Sequence, residues 1–135
     1  MSHVTPAKLC TKCRSALPLS AFAKSPAGAG GLRAECRQCK AAADRAYLLK
    51  KRFGIAPEDY DAMLAKQGGK CALCDRSTPG GRWPRFHVDH CHATGRVRGL
   101  LCRSCNTALG ALGDSPEAIR RALAYVQGLE VGGDN

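Results

Sequence analysis

Aromatic side chains are scarce in this chain: one tryptophan, three tyrosines and three phenylalanines among 135 residues. The length suits one ordinary domain or two very small ones. With so few large apolar groups, two small domains would bury too little surface to hold together unaided. Long apolar runs are also missing. No stretch approaches the ~20 apolar residues of a membrane span. The opening MSHVTPAKLC lacks the apolar core of a secretory signal. The expectation is an intracellular, cytoplasmic protein with no membrane association, in a compartment where thiols stay reduced. Acidic residues are few as well, 11 against 21 Lys and Arg, for a formal net charge of +10. The excess is uneven, with a net +9 over residues 1–54 and +1 over residues 55–135. A polyanion is the expected partner, nucleic acid first; a basic protein with no nucleic-acid role is the competing reading.

Against these shortages stand nine cysteines. Eight form four CxxC pairs: Cys10/Cys13 with Cys36/Cys39, then Cys71/Cys74 with Cys102/Cys105. The turn inside CxxC aims two thiolates at one point, and two such turns give four sulfurs around a tetrahedral Zn²⁺. With all four positions filled, each ion is structural. An iron–sulfur cluster, a redox dithiol or a disulfide-stapled secreted chain are the alternatives. Cys91 is left over, either a small buried hydrophobe or a reactive thiol.

Between the first two pairs, SPAGAGGLRAE reads as a loop or hairpin tip. KAAADRAYLLKKRF, residues 40–53, reads as a helix with a basic end at Lys50, Lys51 and Arg52. A second helix opens at Pro57, with Glu58 and Asp59 in its first turn and Tyr60, Met63 and Leu64 on one face. RFHVDHCH and RVRGLL read as two strands joined by ATG, and RSCNTALGAL as a helix beginning at the last cysteine pair. Ser115-Pro116-Glu117 opens a final helix with Ile119, Leu123 and Val126 on its face. The expected layout is a zinc-ribbon DNA-binding module over 1–42, a basic helical linker over 43–56, a second zinc module over 57–129 and a flexible tail over 130–135. The fold class is small zinc-stabilised α+β.

The chain has four histidines, and three of them fall in HVDHCH, residues 87–92. His3 is set aside as part of the chain's start. The zinc of the second set has its four sulfurs, so the cluster is free for other work. Asn106 directly follows the last ligand, Cys105, so the metal would pin the hairpin to the start of a helix. Asp89 and Asn106 offer a carboxylate and an amide oxygen, which suit Mg²⁺ or Mn²⁺. A neutral imidazole beside them can take a proton from water near pH 7. Neighbours on a regular strand face opposite ways, so Asp89 and His90 share a site only if the strand bends, bulges or ends there. A surface turn for Asp89 and His90, and a helix cap for Asn106, are the plainer readings.

The run HVDH–CHATGRVRGLLCRSCNTALG, with FGIAPEDYDAMLAKQGGKCALC upstream, resembles the phage recombination endonuclease VII family, within the HNH (ββα-metal) nucleases. The resemblance covers about residues 53–127. It implies a ββα-metal nuclease module following the N-terminal zinc ribbon. It makes Asp89 and Asn106 the ligands of a catalytic Mg²⁺ or Mn²⁺ and His90 the general base. His92 would lie near the phosphate, and His87 would be accessory. The implied function is metal-dependent hydrolysis of DNA phosphodiester bonds, on double-stranded DNA or on branched recombination intermediates such as Holliday junctions, by a phage-encoded protein in its bacterial host. The chain departs from the family at Cys91, where an acid is common, and at Leu109, where the best-known member has a glutamate; only 29 residues follow Asn106. A non-catalytic double zinc ribbon that binds nucleic acid is the rival function.

Arg96 and Arg98 alternate along the second strand and are candidates to hold a phosphate, with Arg103 beside them. Lys50, Lys51 and Arg52 are candidates for sequence-blind contacts to the DNA backbone. Trp83 is either a wedge between bases or, more simply, a lid over the hairpin. A homodimer would supply the two active sites that cutting both strands requires; the sequence itself carries no sign of oligomeric state.

Overall fold

Two of the four CxxC turns run directly into helices, and this sets the architecture. The computed structural model describes residues 4–129; His3 and the expected tail over 130–135 lie outside the described residues. The chain divides into two compact units at Gly54/Ile55. The fold is α+β, with four α-helices and two two-stranded sheets among the described residues.

In the first unit, β1 (Ala7–Leu9) and β2 (Ala16–Pro18) pair antiparallel, Leu9 opposite Ala16, around the first cysteine turn. Within that turn the Cys10 N–H donates to Ser15 O and the Arg14 N–H to Cys10 O, both at 3.0 Å. The Gly/Ala-rich segment closes through a Lys24–Leu32 bridge around a short 3-10 turn at Ala29–Gly31, as a hairpin tip would. Helix α1 (Arg37–Phe53) starts three residues before the sequence reading, because Cys36 caps it: its sulfur accepts the Cys39 N–H at 3.5 Å. Gly54, at φ 71°, closes its C-terminus in the left-handed region. Lys50, Lys51 and Arg52 occupy the last turn, where the helix dipole favours cations. The helix therefore grows out of the ribbon's second cysteine pair and belongs to its unit.

In the second unit, α2 (Pro57–Lys66) begins with proline at its first position, and the Asp59 carboxylate accepts the Ala56 N–H at 2.8 Å. The Tyr60 ring is buried, and its hydroxyl donates to Phe86 O at 2.8 Å. A cysteine turn follows with the geometry of the first: Cys71 N–H to Arg76 O at 2.8 Å and Asp75 N–H to Cys71 O at 3.2 Å. Then come β3 (His87–His90), β4 (Val97–Leu101), α3 (Arg103–Ala111) and α4 (Pro116–Val126). The expected hairpin and both later helices are thus present. Cys102 caps α3 with its sulfur, and Ser115 Oγ caps α4 by accepting the Ala118 N–H at 3.1 Å. The face expected to pack α4 is largely uncovered: Leu123 and Val126 are 56% and 81% exposed. Among the described residues no helix is long and apolar enough to cross a membrane.

A two-stranded sheet leaves outward backbone groups on both edges, and β4 meets this with a side chain. Gln67 Oε1 accepts the Leu100 N–H at 2.9 Å, while Gln67 Nε2 donates to Leu100 O at 2.9 Å and Lys70 O at 2.8 Å. Ala72 N–H also donates to Leu100 O, at 3.1 Å. Leu100 is fully buried, so water has no access to replace these bonds. The glutamine acts as a third strand one residue wide.

Both cores are small. The first is Cys10, Phe22 and Cys36, flanked by Leu17, Ala21, Leu32 and Cys39. Burying one Phe contributes about 1.5–3 kcal/mol, far below the entropy of ordering fifty residues. The sulfurs supply the rest. In each set of four they lie within 4.8 Å of one another, with Cys10–Cys39 at 3.9 Å and Cys74–Cys102 at 3.7 Å. A disulfide needs ~2.05 Å. A tetrahedron with ~2.3 Å Zn–S bonds has edges of roughly 3.8 Å. Both sets fit structural zinc, and where such a site exists metal binding and folding are coupled.

Two outcomes follow. Elemental analysis should find two zinc ions per chain; Cys74→Ser should lower this to one and abolish the melting transition of the second unit. Gln67→Ala should keep both zincs but destabilise that unit by about 1–3 kcal/mol in denaturant, the cost of an unsatisfied buried backbone group.

Candidate functional site

The cysteine turns prepare the sulfurs for metal through their amides. Cys10 Sγ accepts the Cys36 and Lys12 N–H groups at 3.2 and 3.4 Å, and Cys71 Sγ accepts the Cys102 N–H at 3.3 Å. The amide of Cys13, then burial in opposition, then the amides of Cys36 and Lys12 leave the Cys10 thiol lowered to about 6. Burial pushes Cys71 up, but the amides of Cys102, Cys74 and Leu73 outweigh it and bring it to about 6. The last sulfurs move oppositely. A hydrogen bond with Cys36 raises Cys39 to about 12, and burial followed by the neighbouring sulfurs raises Cys105 to about 12. Four thiolates around one point need a cation between them.

The β3–β4 register carries the answer to the strand problem. His87 pairs with Leu101, Val88 with Leu100 and Asp89 with Gly99, but His90 pairs with Val97. One step on β3 thus spans two on β4, and Arg98 is the extra residue of a bulge. The alternation that would align Arg96 with Arg98 is broken: Arg96 stays in the turn before β4, and Arg98 is re-aimed by the bulge.

Around this bulge the structure gathers a charged cluster. Asp89 is buried, at 8% exposure, the only buried charged residue among those described. Arg98 Nε donates to Asp89 Oδ2 at 2.7 Å and Arg98 Nη2 to Asp89 Oδ1 at 3.0 Å, a two-pronged pairing. Nη2 also donates to His90 O at 3.3 Å and to Asp114 Oδ1. Asp89 first and Asp114 second raise the Arg98 pKa above its ordinary value. The same guanidinium, with the His92 amide after it, holds Asp114 below its usual value. The His90 and His92 rings lie 4.9 Å apart, and His92 Nδ1 is 3.8 Å from Asp114 Oδ2. A cleft of about 240 Å³ is bordered by Asp89, Arg98, Gly99, Leu101 and Leu109. Each Asp89 oxygen keeps a second lone pair beyond its bond to Arg98, and a carboxylate oxygen is a donor that suits a hard divalent ion. Asn106 lies half-buried in the first turns of α3, its N–H bonded to Cys102 O at 3.0 Å.

The remaining expected residues have distinct settings. His87 packs edge-on against Trp83, ring centres 5.3 Å apart, and its buried Nε2 has no hydrogen-bond partner among the described residues. Trp83 thereby touches the hairpin at His87 and is itself 44% exposed. Cys91 opens a turn of the same form as the zinc turns: Cys91 N–H to Arg96 O at 2.8 Å and Gly95 N–H to Cys91 O at 2.7 Å, with Thr94 where the second cysteine would stand. Gly95 takes the positive φ, 74°, that this turn needs. Arg103 borders a separate cleft of about 440 Å³ with Arg76, Gly80, Gly81, Ser104 and Thr107. Lys50, Lys51 and Arg52 lie in the first unit, and Lys51 stands over the Tyr47 ring at 5.5 Å. Asp114 was not among the residues expected at the site. In the sequence it reads as the polar residue before a helix cap, and only the pairing register shows what it meets.

A family model described as recombination endonuclease VII matches residues 45–128. The Gene 59 protein of Mycobacterium phage D29 is 45% identical over 76 residues, covering 56% of this chain and 45% of that protein. The Gene 59 protein of Mycobacterium phage L5 is 35% identical over 122 residues, covering 88% of this chain and 73% of that protein. This chain therefore spans less than half of the first relative's length. Among solved structures, the ββα-Me type II restriction endonuclease Hpy99I aligns with 92% of this chain and 66% of its own, at 25% identity and a TM-score of 0.40. The matched region holds the whole second unit through α4, with the second cysteine set and the Asp89–His90 bulge. The chain belongs to the recombination endonuclease VII family.

Proposed function

We propose that this protein is a DNA endonuclease that hydrolyses phosphodiester bonds with a divalent ion, Mg²⁺ or Mn²⁺. The observation that supports the reading is the bulge at Asp89/His90, with Asp89 buried and the His90 and His92 rings paired, in a chain of this family. Asp89 and Asn106 would hold the ion, which would supply stabilisation of the charge that develops on the scissile phosphate and the leaving 3′ oxygen. His90 takes a proton from the attacking water, which requires its imidazole neutral. We assign His92, its ring tilted 50° from that of His90 with centres 4.9 Å apart, to the phosphate, and His87, beside Trp83, to support of the strand. With Arg98 engaged by two carboxylates, Arg96 and Arg103 are the arginines for the phosphate backbone. Lys50, Lys51 and Arg52 add contacts without sequence preference.

The substrate we propose is DNA carrying a branch, a structure that recombination, the process in the family's name, produces, with two protomers placing two sites on opposite strands. Two phage relatives support a role in the cytoplasm of an infected bacterium. The test is nicking of supercoiled plasmid, with zinc content verified. Mg²⁺ or Mn²⁺ should support cutting, EDTA should stop it, and His90→Ala should slow it by about 10²–10⁴-fold. A protein that binds DNA yet cuts under no divalent ion is a binding module instead. A four-way junction should be cut faster than a linear duplex of matched sequence; equal rates would remove the branched substrate.

A further inference from the structure

We propose that Asp114 is a positioning residue of the ion site, acting through Arg98 on Asp89 and through the backbone on His92. The proposal rests on the nuclease reading and names residues that the family match does not assign.

Both oxygens of Asp114 are in use. Oδ1 accepts from Arg98 Nη2, and Oδ2 accepts the His92 N–H at 3.3 Å. One carboxylate therefore ties together the guanidinium that grips Asp89 and the turn that carries the second histidine. Its own place is determined from both sides. The Asp114 N–H donates to Leu109 O at 2.9 Å, at the end of α3, and Ser115 beside it caps α4. The residue sits at φ 53°, a left-handed conformation that non-glycine residues seldom adopt and Asp tolerates better than most. Its side chain is only 10% exposed, as is that of Asp89.

Charge gives the arrangement a purpose. Asp89 and Arg98 alone would form a closed neutral pair, poorly suited to attract a divalent ion. Asp114 shares the guanidinium and leaves the three groups at net −1. A carboxylate ligand is oriented by the groups that hydrogen-bond it, and loss of such an outer partner typically costs 10–100-fold in metal affinity or activity. Arg98 suits the task because its fork meets both Asp89 oxygens at once; a lysine keeps the charge but not that geometry.

The test compares wild type with Arg98→Lys, Asp114→Ala and Asp114→Asn. Asn is nearly isosteric but has one acceptor oxygen for two donors. Free Mn²⁺ is titrated by electron paramagnetic resonance without DNA, and kcat and KM are measured separately on plasmid. Zinc content reports folding. Each variant should retain two zincs and an unchanged KM, with Mn²⁺ affinity or kcat lower by about 10–100-fold. The charge-preserving Arg98→Lys separates orientation from simple electrostatics. Variants that bind Mn²⁺ and turn over like wild type overturn the brace and leave the nuclease reading intact. So does an Arg98→Lys effect confined to KM, which would make Arg98 a phosphate contact. Wild-type protein that neither binds Mn²⁺ nor cuts overturns the nuclease reading, and the brace with it.

Discussion

The sulfur of Cys102 is the hinge of this structure. It belongs to the second set of four cysteines, it accepts the Cys105 N–H, and it caps α3. Residue 101, just before it, ends the strand that carries the bulge, and Asn106 lies four residues after it. One cluster of four sulfurs thus stands where a strand becomes a helix. The apolar contribution is too small to do this: the second unit's buried core is essentially Tyr60, Phe86, Leu100 and Leu101. A site that needs groups held to fractions of an ångström is best placed on rigid elements, and here the four-cysteine set, which fits structural zinc, is placed to supply that rigidity.

On that frame the charged groups arrange themselves in a chain rather than as isolated pairs. Asp89 is gripped by Arg98, Arg98 is shared with Asp114, and Asp114 reaches the backbone of His92, whose ring lies beside that of His90. Each link draws on a different element: β3, β4, the α3–α4 turn and the β3–β4 turn. The bulge makes this possible. On a regular ladder the residue opposite His90 would be Arg98, and the two-pronged grip on Asp89 would have no special position to come from.

The features legible in the sequence were those with local chemistry. Four CxxC pairs announce their turns, Pro57 and Ser115-Pro116 announce helix starts, and the hairpin follows from two apolar runs around a turn. The requirement for a bend at Asp89/His90 was also readable, since period-two alternation forbids neighbours from sharing a face. What stayed hidden depends on register. Arg98 looked like a partner of Arg96 because alternation assumes a regular strand. Asp114 and Gln67 are polar residues in turns, and nothing local distinguishes them from solvated ones; each acquires meaning only from a residue 16 or 33 positions away. The exposure of Leu123 and Val126 was hidden for the same reason: periodicity identifies an apolar face, not what covers it.

The excess of basic residues lies in the first unit and the proposed ion site in the second, and the account stands or falls on the second. Diffraction from crystals soaked in Mn²⁺, collected at the manganese and zinc absorption edges, tests it most directly. Two zinc peaks should mark the sulfur sets, with a manganese peak in bonding range of both an Asp89 carboxylate oxygen and the Asn106 side-chain oxygen. Manganese bound by only one of them, or found elsewhere on the surface, would contradict a shared ion at this site.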